Sequence, residues 1–268
     1  MPAKNPFDSQ KVFCAVTGAS RGIGRTIAVE FARRLPSDSL CLLLARSLSG
    51  LNDTKTLAAA ANPDINFICS SVDLTQPKEE DLQRIIIKCL NGKSPSNFDQ
   101  VILVHNVGSV GDVSEPACAA GNHSKWQEYF SLNVFSVAVL NAEFLKVFTA
   151  EKVKHRLVVN ITSLCGLEPF KSMTYYCCGK AAREMYFQVL AKEEEGNLTV
   201  LNYSPGPVET DMFYEIVNNV ADKDQNKIYT EMRDKKTVLM CDQTIGKLVN
   251  VLESGSYHSG DHVDYFDI

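Results

Sequence analysis

Short apolar runs of strand length punctuate the chain at residues 12–16, 40–45, 66–72, 101–104, 156–161, 199–203 and 262–265. Stretches with helical spacing fill most of the intervals. The first carries Ile23, Ile27, Phe31 and Leu35 at i, i+4, i+8 and i+12, an apolar stripe along one helix. Strands alternating with helices predict an α/β fold, a single-domain Rossmann-type doubly wound parallel sheet with helices on both faces. A chain of 268 residues suits one such domain over 1–268. No repeat, low-complexity tract or linker breaks it. Residues 207–236, polar and interrupted, are expected to form a mobile segment on the substrate side. Ligands of such sheets bind beyond the carboxyl ends of the strands, so the residues just after each run carry the functional expectations.

After the first run comes Thr17-Gly18-Ala19-Ser20-Arg21-Gly22-Ile23-Gly24. A strand, a glycine-rich turn and a helix N-terminus make an anion site, and the glycines permit a tight turn with close approach of backbone to a pyrophosphate. The spacing is Gly-x-x-x-Gly-x-Gly. After the second run stand Arg46 and Ser47, with no acid nearby to take a ribose 2′-hydroxyl. Arg21 supplies a second cation, and two guanidiniums facing one point suit the 2′-phosphate of NADP.

A second chemical signal is Tyr176-Cys177-Cys178-Gly179-Lys180, with Ser163 thirteen residues before the tyrosine. Positions i and i+4 share a helix face. A lysine ammonium there favours the phenolate, and bringing a tyrosine near neutrality needs roughly 3 units, about 4 kcal/mol. A tyrosine so tuned serves as general acid or base.

Together these motifs resemble those of the short-chain dehydrogenase/reductase family, over nearly the whole chain. The landmarks run in order: Thr17 to Gly24, Asp73, His105-Asn106-Val107-Gly108, Asn133, Ser163, Tyr176, Lys180, and Pro205-Gly206 with Thr210. The resemblance implies NADPH-dependent carbonyl reduction. Tyr176 would donate a proton, Ser163 would hydrogen-bond the same oxygen, and Lys180 would hold the nicotinamide ribose. Asn133, on a long helix of about 126–148, would position a relay water. The implied cofactor contacts come from Gly18, Ala19, Ser20, Arg21, Gly22, Ile23 and Gly24, then Arg46, Ser47, Asp73, Leu74 and Asn106. Lys180, Val208, Thr210, Asp211 and Met212 complete them.

Segments 160–165, 169–171, 179–183, 187–190, 201–207 and 259–267 resemble more particularly a pterin-reducing branch of that family. They imply a small-molecule pterin substrate held by Ser163, Leu164, Tyr176, Gly206 and Asp264, with Phe170 and Met212 as further apolar walls. Two carboxylate oxygens of Asp264 match the parallel ring N–H and amino donors of a pterin. Assembly as a homodimer, through the long helices that carry Asn133 and Tyr176–Lys180, is also implied. Phe144, Met185, Phe187 and Val189 are expected on their outward faces. One departure stands out, since the family commonly has Asn-Asn-Ala-Gly where this chain has His105-Asn106-Val107-Gly108. His105 follows an apolar run and is expected to be a partly buried, satisfied histidine.

A formal net charge of -5, with no basic run, argues against a nucleic-acid surface. The apolar stretches are strand-sized, the N-terminus is polar, and no membrane association is expected; the cytoplasm is the expected location. Nine cysteines show no metal-like spacing, so no metal is expected. Cys14, Cys41 and Cys69 read as small core residues in a reducing compartment. The adjacent Cys177 and Cys178 raise the idea of a redox pair, which helical strain disfavours. Two other readings remain: a same-fold reductase of non-pterin carbonyls, for which Asp264 would be dispensable, and a non-catalytic NADPH-binding regulator.

Overall fold

The computed structural model describes residues 3–76 and 78–267. The strands are β1 (Val12–Thr17), β2 (Leu40–Ala45), β3 (Asn66–Ser71), β4 (Gln100–His105), β5 (His155–Ile161), β6 (Thr199–Ser204) and β7 (His262–Asp264). All pair in parallel, in the order β3-β2-β1-β4-β5-β6-β7. Each lies within a residue of its expected limits. Strands covered on both faces are largely apolar, and that is why they are so plain in the sequence. The chain reverses its direction of travel between β1 and β4, which opens a crevice at their carboxyl ends.

Helices α1 (Gly22–Ala32), α2 (Leu48–Ala61) and α9 (Cys241–Ser254) cover one face, where Val12, Cys14 and Val16 of β1 point. Helices α3 (Glu79–Leu90), α5 (Ser136–Val147) and α6 (Thr174–Glu193) cover the other, where Phe13 and Ala15 point. This is the period-two alternation of a strand dividing one core into two.

Two outward-face expectations fail. Phe144 and Phe187 are 1% and 0% exposed and belong to the α5–α6 core, because each falls on the stripe facing β4 and β5. Met185 and Val189 do face out, at 60% and 46%, and so does Phe135 at 51%. The chain also holds more than strand-sized apolar stretches. His123–Val147 is a helical run of 25 residues, long and apolar enough to cross a membrane, yet Val137, Leu140, Phe144 and Val147 along it are buried in the protein core. It comprises α4 (His123–Phe130), a π turn at Ser131–Phe135, and α5.

Most of 207–236 folds as α7 (Asp211–Asn219) and α8 (Lys223–Asp234). Thr210 caps α7 by accepting from Phe213 N, and Asp222 caps α8 by accepting from Asp224 N and Gln225 N. Asn226 Nδ2 ties α8 back to Val217 O at 2.8 Å.

Replacing Phe187 by alanine is expected to cost about 3–5 kcal/mol of unfolding free energy. Met185→Ala should stay within about 0.5 kcal/mol in a monomer. Urea denaturation of the two variants checks the assignment of faces.

Candidate functional site

The glycine-rich turn is built by steric necessity. Gly18 and Gly22 have φ of +65° and +54°, a region that favours glycine. A Cβ at position 24 would lie 2.3 Å from the Gly18 carbonyl oxygen, so α1 can begin this close to the turn only with glycine there. Asn106 staples the turn to β4: its Nδ2 donates to Thr17 O at 3.0 Å, while its backbone N–H donates to Thr17 Oγ1 at 2.9 Å. Ala19 is buried, its N–H donating to Leu44 O, and Ser20 O accepts from Arg25 Nη2 at 2.5 Å. No side chain caps α1, so the N–H groups of its first turn face the crevice mouth with only the helix dipole to offer an anion.

The other cofactor candidates are each tied into the fold. Arg21 forms an ion pair with Asp211 at the start of α7, so the two arginines do not converge as free cations. The sequence separation of 190 residues hid that partner. Arg46 lies close enough to Asp73 to help hold its carboxyl below the usual range, after the hydrogen bonds from Thr75. Leu74 is 4% exposed with its side chain in the α3 core, leaving only backbone for the cleft. Ser47 caps α2 through Gly50 N. Val208 is bridged to Leu239, Thr210 Oγ1 donates to Val208 O, and the Thr210 methyl would sit 3.6 Å from a Cβ at Gly22. The loop after β6 therefore closes on the glycine turn.

The reacting candidates meet beyond β5. Ser163 Oγ accepts from Cys165 N at 3.2 Å and lies close enough to the Tyr176 phenol to favour its ionised form. Lys180 is 7% exposed; its Nζ donates to Ile161 O at 2.7 Å and lies 5.4 Å from the centre of the Tyr176 ring. The anticipated lowering of the Tyr176 pKa by Lys180 does not hold here. Burial pushes the phenol up, with Ser163 pulling it only partly back. Burial, then repulsion from Arg183, pulls the Lys180 ammonium well below its ordinary range. The site therefore presents a protonated phenol, a proton donor rather than a standing phenolate.

Asn133 lies in the π turn and is 3% exposed. Its Nδ2 donates to Tyr129 O at 2.8 Å and to Ser109 Oγ at 3.1 Å, and its Oδ1 accepts from Ser109 N at 2.8 Å. A π turn misaligns the i to i−4 bond, and the asparagine amide takes the carbonyl so released. His105 is fully buried, and this pulls its pKa down to about 3, so it is neutral. Only Nε2 finds a partner, Asn141 Oδ1 at 3.4 Å; Nδ1 has none, so the histidine is neither partly buried nor fully satisfied.

Tyr176 packs with Cys165, Met173, Phe170, Cys177, Met212 and Tyr229 in one apolar cluster beside the cleft. Leu164 stands outside it, 39% exposed. Gly206 has φ +71°, and a Cβ there would meet Leu239 and Phe266 at 3.0 and 3.2 Å. Asp264 is 8% exposed at the carboxyl end of β7, level with Ser204, and its Oδ1 accepts from Phe266 N at 2.9 Å. It is no solvated tail. A separate cleft of about 740 Å³ opens beside Arg156, Asn197 and Thr199, at the amino ends of β5 and β6, and holds none of these groups.

Arg183, one turn past Lys180, escaped the sequence reading. It is 1% exposed, and its guanidinium donates to Asn160 Oδ1 at 2.6 and 2.9 Å, Val107 O at 3.0 Å and His105 O at 2.8 Å. Its only sequence signal was its place on the Tyr176–Lys180 face. Cys177 packs against Cys165 in the Tyr176 cluster, and its Sγ donates to Glu168 O at 4.0 Å.

The chain matches the short chain dehydrogenase family over residues 13–221 and belongs to it. It is an oxidoreductase that uses a nicotinamide cofactor. Sepiapterin reductase of Bos taurus is 35% identical over 96% of this chain and 95% of its own. That of Xenopus laevis is 34% identical, over 96% of each chain. A short chain dehydrogenase of Shigella flexneri, solved in complex with NADP, shares the fold at a TM-score of 0.76 and 24% identity, covering 98% of this chain and 100% of that one.

The Cys165 thiol beside it brings the Cys177 thiol below its ordinary range, whereas burial pushes the adjacent Cys178 up. Iodoacetamide is therefore expected to alkylate Cys177 at lower pH than Cys178. Peptide mapping over a pH series reads this directly, and equal profiles would contradict it.

Proposed function

We propose that this oxidoreductase uses NADPH to reduce side-chain carbonyls of pterins, sepiapterin and 6-pyruvoyl-tetrahydropterin, in the formation of tetrahydrobiopterin. The observation that carries the reading is Asp264, a nearly buried carboxylate held at the carboxyl end of β7 beside the Gly206 loop. An acid in that place suits a ligand edge with two parallel donors, and the 35% identical bovine protein is a sepiapterin reductase.

The residues present fit a dinucleotide. The turn has room only for glycine, the first turn of α1 lacks a side-chain cap, and the second strand ends in Arg46 with no acid. Bound NADPH would supply hydride to the carbonyl carbon. The glycine turn would hold the pyrophosphate, Arg46 the 2′-phosphate, and Arg21 would join it by leaving Asp211. Tyr176 Oη gives its proton to the developing alkoxide while Ser163 Oγ hydrogen-bonds the same oxygen. Lys180, with three N–H donors and one spent on Ile161 O, has two left for the nicotinamide ribose. Val208 and Thr210 would close over the nicotinamide amide. Phe170 and Met212 would line the pterin, and Phe266 beside Gly206 would cover its edge. Asn133 would align a relay water through Tyr129 O and Ser109. The exposed Phe135, Met185 and Val189 on the α5 and α6 side suit burial in a homodimer, and the cytoplasm suits free thiols.

Sepiapterin turnover by wild type, followed through the absorbance of the reduced nicotinamide, should prefer NADPH to NADH. Asp264→Ala should raise KM for sepiapterin about 10- to 100-fold, the scale of a lost charge-assisted hydrogen bond. No turnover of sepiapterin by the wild type, or an Asp264→Ala variant with unchanged KM, would remove the pterin reading and leave the fold and cofactor standing.

A further inference from the structure

A row of polar side chains crosses the buried sheet where apolar ones would be ordinary. His105 of β4, Asn160 of β5, Asn202 of β6 and His262 of β7 stand in lateral register. Helix α6 reads this row with two consecutive residues. Arg183 takes Asn160 and the His105 carbonyl, and Asn160 Nδ2 passes the chain on to Asn202 Oδ1 at 2.9 Å. Asn202 Nδ2 then donates to Gly260 O at 3.3 Å. Glu184 takes the last position: His262 Nδ1–H donates to its Oε1 at 3.0 Å, with the two side chains 11% and 4% exposed.

That last pair is a costly way to hold a fold together. Glu184 Oε2 and His262 Nε2 are buried without a partner, and an apolar pair would pack there at no desolvation cost. Its location gives it another use. His262 lies two residues before Asp264, so both side chains leave β7 on the same face, one pleat apart. Glu184 lies four residues after Lys180 and eight after Tyr176, on the buried stripe of α6. Strand β7 is three residues long at the sheet edge, with β6 its only strand neighbour among the described residues. Hydrogen bonds to β6 hold its height in the sheet, and among the described residues His262 makes the one side-chain hydrogen bond from β7 to the helix that carries the reacting groups.

We propose that His262 is a positioning residue: its hydrogen bond to Glu184 sets the place of the substrate anchor Asp264 relative to Tyr176 and Lys180. This rests on Asp264 being that anchor. Helix α6 then holds both ends of the substrate, the carbonyl through Tyr176 and the far edge through Glu184, His262 and Asp264. The glycine turn and the ends of β1, β2 and β4 lie outside the linkage, and of the cofactor candidates only Lys180 sits on α6.

The test is steady-state kinetics with sepiapterin, beside NADPH binding by fluorescence titration, on His262→Ala, His262→Asn and Asp264→Ala. An asparagine amide nitrogen falls near the place of Nδ1 and keeps the donor to Glu184. His262→Ala should raise KM for sepiapterin roughly tenfold, the scale of a sub-ångström misplacement, while the Kd for NADPH shifts less than about twofold. His262→Asn should bring KM back to within about twofold of wild type. If His262→Ala does not fold, His262→Gln, which keeps bulk but carries the amide one bond too far, takes its place with the same expected signature. The proposal is overturned by an unchanged KM, by equal losses of sepiapterin and NADPH affinity, or by failure of His262→Asn to restore KM. An Asp264→Ala variant with normal KM would instead overturn the anchor itself, and a raised KM there beside a normal one in His262→Ala overturns the tether alone.

Discussion

A guanidinium with 1% exposure needs every partner it can reach, and Arg183 finds them on two strands at once. Its donors take the His105 and Val107 carbonyls at the end of β4 and the Asn160 amide on β5. Unpaired, such a charge would cost several kcal/mol, so α6 can sit only at the height and rotation that keep these bonds. Tyr176 and Lys180 lie seven and three residues earlier on the same stripe. Their meeting with Ser163 and Ile161 beyond β5 follows from where Arg183 must be. The same helix position places Glu184 against β7, so the cation and the acid beside it fix both sides of the cleft.

Burial also decides protonation. Around Tyr176, Lys180 and His105 the loss of solvent outweighs every named charge: the phenol rises, the ammonium falls, and the imidazole drops to about 3. A protonated phenol backed by a serine hydroxyl suits delivery of a proton to a developing alkoxide, which is the direction of carbonyl reduction. It suits proton abstraction from an alcohol less well. Binding a dinucleotide and a substrate changes that environment, because each brings charge and excludes water close to Lys180.

The strands were legible because parallel, doubly covered strands are mostly apolar runs, broken only at a few positions such as Asn160 and Asn202. The glycine turn and the Tyr176–Lys180 spacing were legible because backbone sterics and helix geometry require those residue types. Other features were written in the fold rather than in any local pattern. Arg21 and Asp211 pair across 190 positions, Cys177 meets Cys165 through a turn, and Arg183 looks like any exposed helix arginine until β4 and β5 are in place. Phe187 and Met185 are both apolar on a helix with apolar residues around much of its circumference, so only packing separates the core from the open face. The lysine effect on Tyr176 was misjudged for a related reason, since spacing shows that a charge is near but not that both groups are dry.

Single-turnover hydride transfer in Tyr176→Phe, with saturating NADPH and sepiapterin, tests the central claim most directly. The account predicts wild-type NADPH affinity with transfer slowed by about 10²–10⁴-fold, the usual worth of a placed proton donor. Transfer at the wild-type rate in that variant would contradict it, because the proton would then come from a group other than the one α6 is built to hold.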